Sequence, residues 1–151
     1  MKASKKLSSN LQSILVDLIE LHVQGKQVHW NIVGKNFRDL HLQLDEIIDA
    51  AREHSDEIAE RMRALHAIPD GRTETVTATT NLPKLPLGEI ETTKAVDLVV
   101  ALLNAATDNI RAVHDEVDDE DPASADLLHA IILTLEKYAW MVGAENAKPR
   151  S

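Results

Sequence analysis

HWNIVGKNFRDLHLQLDEIIDAAREHSDEIAERM, residues 29–62, sets two histidines and a ladder of carboxylates along a stretch of helical periodicity. From Phe37 onward Leu40, Leu44, Ile47, Ala51, Ile58, Met62 and Leu65 share one apolar face, which predicts a long helix ending near His66, before Pro69 and the Asp70-Gly71 turn. Its polar residues are placed more selectively than a solvated face needs. His41 with Asp45, and Asp56 with Glu60, are each four residues apart, so each pair forms a clip with its teeth about 6 Å apart along the axis. Asp45 and Asp56 are eleven apart, which is roughly 20° around the helix but about 16 Å along it. Ligands of one ion lie about 2.0–2.2 Å from it, so the two clips of one straight helix cannot grip the same ion or a close pair. If a second copy of the helix packs antiparallel across a two-fold axis near Ala50 and Ala51, the His41/Asp45 clip of one chain faces the Asp56/Glu60 clip of the other, giving two equivalent sites. Spacing alone leaves the plainer reading open, because i,i+4 charge pairs are common on exposed helices.

Outward from this stretch the chain reads as helix almost throughout. Leu11, Ile14, Leu15, Leu18, Leu21 and Val28 predict a first helix from about Ser9 to about Val33, interrupted by Gly34 and Asn36. Thr73 to Glu91 carries Pro83, Pro86 and Gly88 and no sustained period; a connection of this length implies a crossover between ends of a bundle or a short helix of its own, and the crossover is preferred. Ala95, Leu98, Val99, Leu102, Ala106, Ile110 and Val113 mark a third long helix from Thr92 or Thr93, and Asp121-Pro122 is an N-cap and N1 pair for a fourth, running through Leu127, Ile131, Leu135 and Trp140 to about Asn146. No strand pattern or internal repeat is visible. The expected organisation is a lysine-bearing mobile tail (1–8), one all-α four-helix bundle (9–146) and a short C-terminal tail (147–151).

Composition limits the chemistry. The 151 residues contain no Cys, so thiolate metal sites and disulfides are excluded and any metal must be held by His, Asp, Glu or backbone oxygen. The first residues lack the apolar region of a signal peptide, and the longest unbroken apolar run, Leu98 to Leu103, is too short to cross a bilayer, so a cytoplasmic protein without membrane contact is expected. Net charge is −9, and Lys2, Lys5 and Lys6 set a local positive patch against about −12 elsewhere.

The string HWNIVGKNFRDLHLQLD followed by SDEIAER resembles the signature of the Dps proteins, DNA-binding proteins from starved cells or mini-ferritins. The order His29, Trp30, His41, Asp45, Asp56, Glu60 matches that pattern at every position, and the likeness extends over the four helices to Lys137-Tyr138-Ala139-Trp140. The resemblance implies a ferritin-like bundle with a short helix in the middle crossover, assembled from two-fold dimers into a hollow shell of twelve subunits. It also implies a ferroxidase centre shared between subunits, with His29, His41 and Asp45 from one and Asp56 and Glu60 from its mate. The cofactor chemistry it implies is Fe(II)/Fe(III), with hydrogen peroxide or dioxygen as oxidant and ferric mineral stored inside. No Glu in the chain has His three residues on, which sets it apart from bundles that build a di-iron site within one subunit.

Further residues carry smaller expectations. Trp30, beside His29, is a near-site redox or packing residue. Asp49 and Arg52 lie between the clips and could pair across the axis. Asp115 to Asp121 places six acids in seven positions before the fourth helix; in the resembling family this region lines acidic pores, which makes Asp118, Asp119, Asp121 and Asp126 candidates for attracting Fe(II). Lys2, Lys5 and Lys6 are the DNA-binding candidates, for contact that is sequence-independent and salt-sensitive, with association with the nucleoid as its consequence. His22, His54, His66, His114 and His129 have no partner at ligand spacing and read as ordinary surface or core. The alternative to an iron-oxidising store is a DNA-compacting oligomer whose metal sites are mainly structural.

Overall fold

The computed structural model describes all residues, 1–151. Four long helices form the bundle: α1 (Lys5–Asn31), α2 (Phe37–Ala64), α4 (Thr92–Glu120) and α5 (Pro122–Gly143), with a short α3 (Thr73–Thr79) in the crossover and a final 3-10 turn (Ala144–Asn146). At 1.5 Å per residue the long ones run roughly 33–44 Å. α1 packs chiefly on α2 and α4 on α5, and contacts of α1 with α4 and α2 with α5 close the two pairs into one bundle. The core is aliphatic, with Leu11, Ile14, Leu18, Leu44, Ile47, Ile58, Leu102, Leu128 and Leu135 all fully enclosed.

Three boundaries differ from the sequence reading, each for a tertiary reason. α1 begins at Lys5, four residues early, because Ser4 caps it: Ser4 Oγ accepts from the Leu7 N–H at 3.0 Å while both the Ser4 N–H and hydroxyl donate to Glu120, at 2.7 and 2.6 Å. Only four residues precede the helix, and the Ala3 N–H donates to the Leu65 carbonyl. The third long helix, marked in the sequence as far as Val113, runs on through Asp115–Glu120, which form the last turns of α4. Carboxylates at a helix C-terminus oppose the macrodipole; here α1 offsets part of that with Lys6 on Glu116 at 3.1 Å and the Asn10 amide on the same carboxylate at 3.0 Å. The third difference is a two-residue parallel pairing, β1 (Ile32–Val33) with β2 (Ile90–Glu91), which ties the end of the crossover to the exit of α1. Gly34, at φ +125°, sits where a Cβ would meet Thr92 Oγ1 at 2.9 Å, so the turn into α2 and the start of α4 are held together by a residue without a side chain.

Polar side chains on α1 hold the crossover down. Gln12 and Asp70 exchange two hydrogen bonds, at 2.8 and 2.9 Å. Buried Asp17 accepts from Thr80 Oγ1, the Asn81 backbone and Asn109 Nδ2 at 3.0, 2.8 and 2.9 Å, which satisfies a carboxylate that burial would otherwise penalise.

α5 with the final turn, Pro122–Asn146, is long and apolar enough by length and composition to cross a bilayer, a feature that a search for unbroken apolar runs does not register. In the fold it is the fourth bundle helix; Leu128, Ile131, Leu135 and Val142 face the core, and Leu133, Trp140 and Met141 remain exposed.

The α1–α2 crossing depends on Gly25, whose added Cβ would lie 2.8 Å from Ile48 Cγ1, a methylene of a fully buried side chain. Gly25→Ala gains up to about 1 kcal/mol of helix propensity but overpacks the crossing by about 1–3 kcal/mol. A lower unfolding midpoint than wild type at equal protein concentration is expected; an unchanged or higher one would show that the crossing relaxes freely.

Candidate metal centre

His29 stands in the last turn of α1 and His41 in the second turn of α2, on either side of the Gly34-Asn36 reversal. Asn36 adopts φ 59°, a left-handed conformation that Asn tolerates, and so turns the chain directly into α2. The rings of His29 and His41 stack, centroids 3.6 Å apart and planes 19° from parallel. Each is pinned by the other's backbone: His29 Nδ1–H donates to the His41 carbonyl at 2.8 Å, and His41 Nδ1–H to the His29 carbonyl at 3.0 Å. A carbonyl can only accept, so both rings carry their proton on Nδ1 and present an Nε2 lone pair, the form in which histidine ligates metal. Phe37, expected on the apolar face of α2, is exposed instead and stacks on His41 at 5.0 Å.

Asp45 follows one turn after His41. Its Oδ1 lies 3.5 Å from His29 Nδ1 and 2.6 Å from Lys26 Nζ. The hydrogen bond from Lys26 is the main reason the Asp45 carboxyl is held below the usual carboxylate range, with partial burial opposing it. Lys26 is the residue that sequence reasoning missed. Its position three before His29 was the available signal, since that spacing puts both on one face of α1.

Asp56 and Glu60 lie farther along α2, exposed and without a protein hydrogen bond. Asp56 borders an open groove of about 700 Å³ between α1 and α2, with Asp49, Arg52 and Glu53 on its charged side and Leu15, Ile19 and Ala59 on its apolar side. Within one subunit no three of these donors converge on a single ion; His29, His41 and Asp45 are brought together, and Asp56 and Glu60 are not brought to them. Trp30 is 69% exposed, with its indole uncovered by its own chain.

The remaining candidates divide. Asp118, Asp119 and Asp126 are exposed. Asp121 is buried, accepting from Arg61 Nη2 at 2.7 Å and from the Ser124 hydroxyl, so it ties the end of α2 to the start of α5 and is not free to line a channel. Burial pushes its carboxyl up, but Ser124 and Arg61 together outweigh that and hold it below the ordinary value. Lys2 and Lys5 are exposed, whereas Lys6 is paired with Glu116. His114 and His129, read as ordinary from sequence, are in contact across α4 and α5.

Comparison with known proteins agrees with the helical bundle fold. The family model for the ferritin-like domain matches residues 8–150. The DNA protection during starvation protein of Mycolicibacterium smegmatis is 32% identical over 147 residues, covering 95% of this chain and 78% of that one. The chain belongs to the Dps family. DNA protection during starvation protein 2 of Deinococcus radiodurans is 31% identical over 140 residues, 93% of this chain but 58% of the relative, so the chain spans less than two thirds of that protein's length. Among solved structures, Dps from Microbacterium arborescens in the high iron form superposes with a TM-score of 0.90 at 28% identity, covering 98% of this chain and 99% of that one. The short crossover helix expected of a Dps bundle is α3. The matched region starts at residue 8 and so excludes Lys2, Lys5 and Lys6.

Proposed function

We propose that this protein is an iron-oxidising and iron-storing mini-ferritin. Fe(II) is oxidised at centres shared by two subunits, hydrogen peroxide is the preferred oxidant, and ferric mineral is kept within a twelve-subunit shell that protects the cell and its DNA. The observation that carries the proposal is the reciprocal pinning of His29 and His41, which fixes two neighbouring imidazoles in the ligating tautomer beside Asp45. Asp56 and Glu60, with no partner in their own chain, would complete the centre from the two-fold mate. Imidazole and carboxylate suit Fe(II) but also Zn, Mn and Co, and iron is chosen on family grounds. Paired Fe(II) supplies the two electrons that reduce one hydrogen peroxide and two protons to two waters, so no hydroxyl radical leaves the site. The chain's own part is to hold the two His and the carboxylates in place; Trp30, covered by the mate, would be packing or a local sink for a stray oxidising equivalent.

A second reading has one observation behind it. Lys26 pairs with Asp45 at 2.6 Å and neutralises it, as suits a DNA-compacting oligomer in which this centre serves structure more than iron chemistry. DNA contact would fall to Lys2 and Lys5, with Lys6 recruited only by leaving Glu116; twelve copies would add avidity to weak, salt-sensitive contacts.

Anaerobic Fe(II) titrated with hydrogen peroxide separates the readings. Two Fe(II) oxidised per peroxide, with the product soluble and no spin-trapped hydroxyl radical, is expected; precipitation at the rate of the protein-free control would overturn the first reading. Lys26→Gln probes the same point. With the ammonium gone, Co(II) binding at the centre should tighten about three- to tenfold, the scale of one partly screened charge. Weaker binding would mean that Lys26 positions Asp45 instead of competing with metal.

A further inference from the structure

His114 on α4 and His129 on α5 share no motif, yet their Nε2 atoms lie 2.7 Å apart, with ring centroids 4.7 Å apart and planes inclined at 32°. They border a small open cavity of about 190 Å³ with Arg111, Asp115 and Ile132. Two imidazole lone pairs facing each other at that distance repel, so a proton or another cation must lie between them. The outer nitrogens indicate how the rings are set. His114 Nδ1 is 3.0 Å from Asp115 Oδ1, and His129 Nδ1 is 3.6 Å from Asp126 Oδ1. A carboxylate accepts, so Asp115 favours the His114 proton on Nδ1 and directs its Nε2 lone pair to the shared point, and Asp126, beyond hydrogen-bond distance, favours the same setting of His129 by its charge.

We propose that His114 and His129 form a divalent transition-metal site within a single subunit, separate from the interface centre. Both ligate through Nε2, Asp115 holds the His114 tautomer, Asp126 supports His129 by its charge, and water completes the shell. At metal–nitrogen distances of about 2.0–2.1 Å, nitrogens 2.7 Å apart subtend roughly 80–85° at the metal, close to adjacent octahedral positions. Tetrahedral geometry requires about 3.3 Å between them, an opening that the half-exposed His129 side chain can supply by a small rotation. Imidazole pairs favour Cu(II), Ni(II), Co(II) and Zn(II) over Mg(II) or Ca(II). The cation in the wall, Arg111, is already engaged by Glu136, which accepts from its Nε at 3.0 Å and from Nη2.

The test is Zn(II) binding by competition with a chromophoric chelator, on folded protein carrying His29→Gln, His41→Gln, Asp45→Asn and Glu60→Gln so that the interface centre is silenced. One Zn(II) per chain should remain. Adding His114→Gln or His129→Gln should weaken it about 100-fold or abolish it, and Asp126→Asn about 10-fold, the range for lost ligands and their supports. Cu(II) bound in place of Zn(II) should show coupling to two nitrogens in its electron paramagnetic resonance spectrum. Absence of Zn(II) in the silenced background, or Zn(II) binding untouched by both His variants, would leave the pair as a proton-bridged contact and overturn the proposal. Because the interface centre is disabled throughout, neither outcome depends on the iron reading.

Discussion

The Asp45→Asn, Glu60→Gln double variant is expected to oxidise Fe(II) with hydrogen peroxide at least about 100-fold more slowly than the parent, while keeping its fold and assembly. Both changes preserve size and replace a charged ligand by a weak neutral one. Neither should unfold the chain. Glu60 is exposed and makes no hydrogen bond, and Asp45 loses only its pair with Lys26, whose side chain is 34% exposed and can return to water. Loss of oxidation with unchanged elution and helicity therefore isolates the chemistry. Equal rates in the two assembled proteins would mean that the clips serve structure or another metal.

Arg61→Ala should be the most damaging single change to stability outside the aliphatic core. Arg61 Nη2 donates to Asp121 at 2.7 Å and Nε to Ser124 Oγ at 3.0 Å, where the end of α2 meets the α4–α5 junction. Asp121 keeps only 6% of its side-chain exposure, so removing the guanidinium leaves a buried carboxylate with a serine hydroxyl for company. Breaking a buried pair from one side costs about 3–5 kcal/mol; the 30% exposure of Arg61 brings the expectation to about 2–4 kcal/mol at neutral pH. The pH dependence has a definite sign. In the parent, the Asp121 carboxyl is held low, so its contribution is present above the unfolded value of about 3.9 and is lost as pH falls through the folded value. In the variant, burial without the arginine raises that carboxyl, and protonation relieves the penalty first. The difference in urea unfolding free energy between the two should therefore shrink on acidification from pH 7 toward pH 4. A gap that stays constant over this range would exclude the buried charge as its cause.

Much of the fold was legible in the sequence, and the exceptions share a cause. The apolar faces of the four long helices are periodic over about six to eight turns, so tertiary context only reinforces them. Residues 41, 45, 56 and 60 could be singled out as candidates because their spacing lies within one helix, whereas His29 joins them only through the family resemblance. What escaped depends on contacts between elements distant in sequence. Lys5 and Lys6 read as tail until Glu120 and Glu116 are brought to Ser4 and Lys6. The five carboxylates from Asp115 to Glu120 lie beyond the apolar period that marks the third long helix, and α4 carries them with α1 groups set against Glu116. Asp121 read as a free acid because Arg61, sixty residues earlier, is invisible from it. His114 and His129 stand fifteen apart on two helices, a separation without meaning until α4 and α5 are packed.

Division of the centre between two chains is tested most directly by mixed assembly. One variant carries His41→Gln and Asp45→Asn, the other Asp56→Asn and Glu60→Gln; each alone should be inactive. Dissociated, mixed in equal amounts and reassembled, they should form mixed dimers in which one site is whole and the other doubly defective. Random pairing then restores about one quarter of the wild-type rate of peroxide-driven Fe(II) oxidation, as two-fold symmetry with shared ligands requires. If the reassembled mixture stays as inactive as its parents, the five residues do not form a shared site, and the proposed inter-subunit ferroxidase centre is wrong.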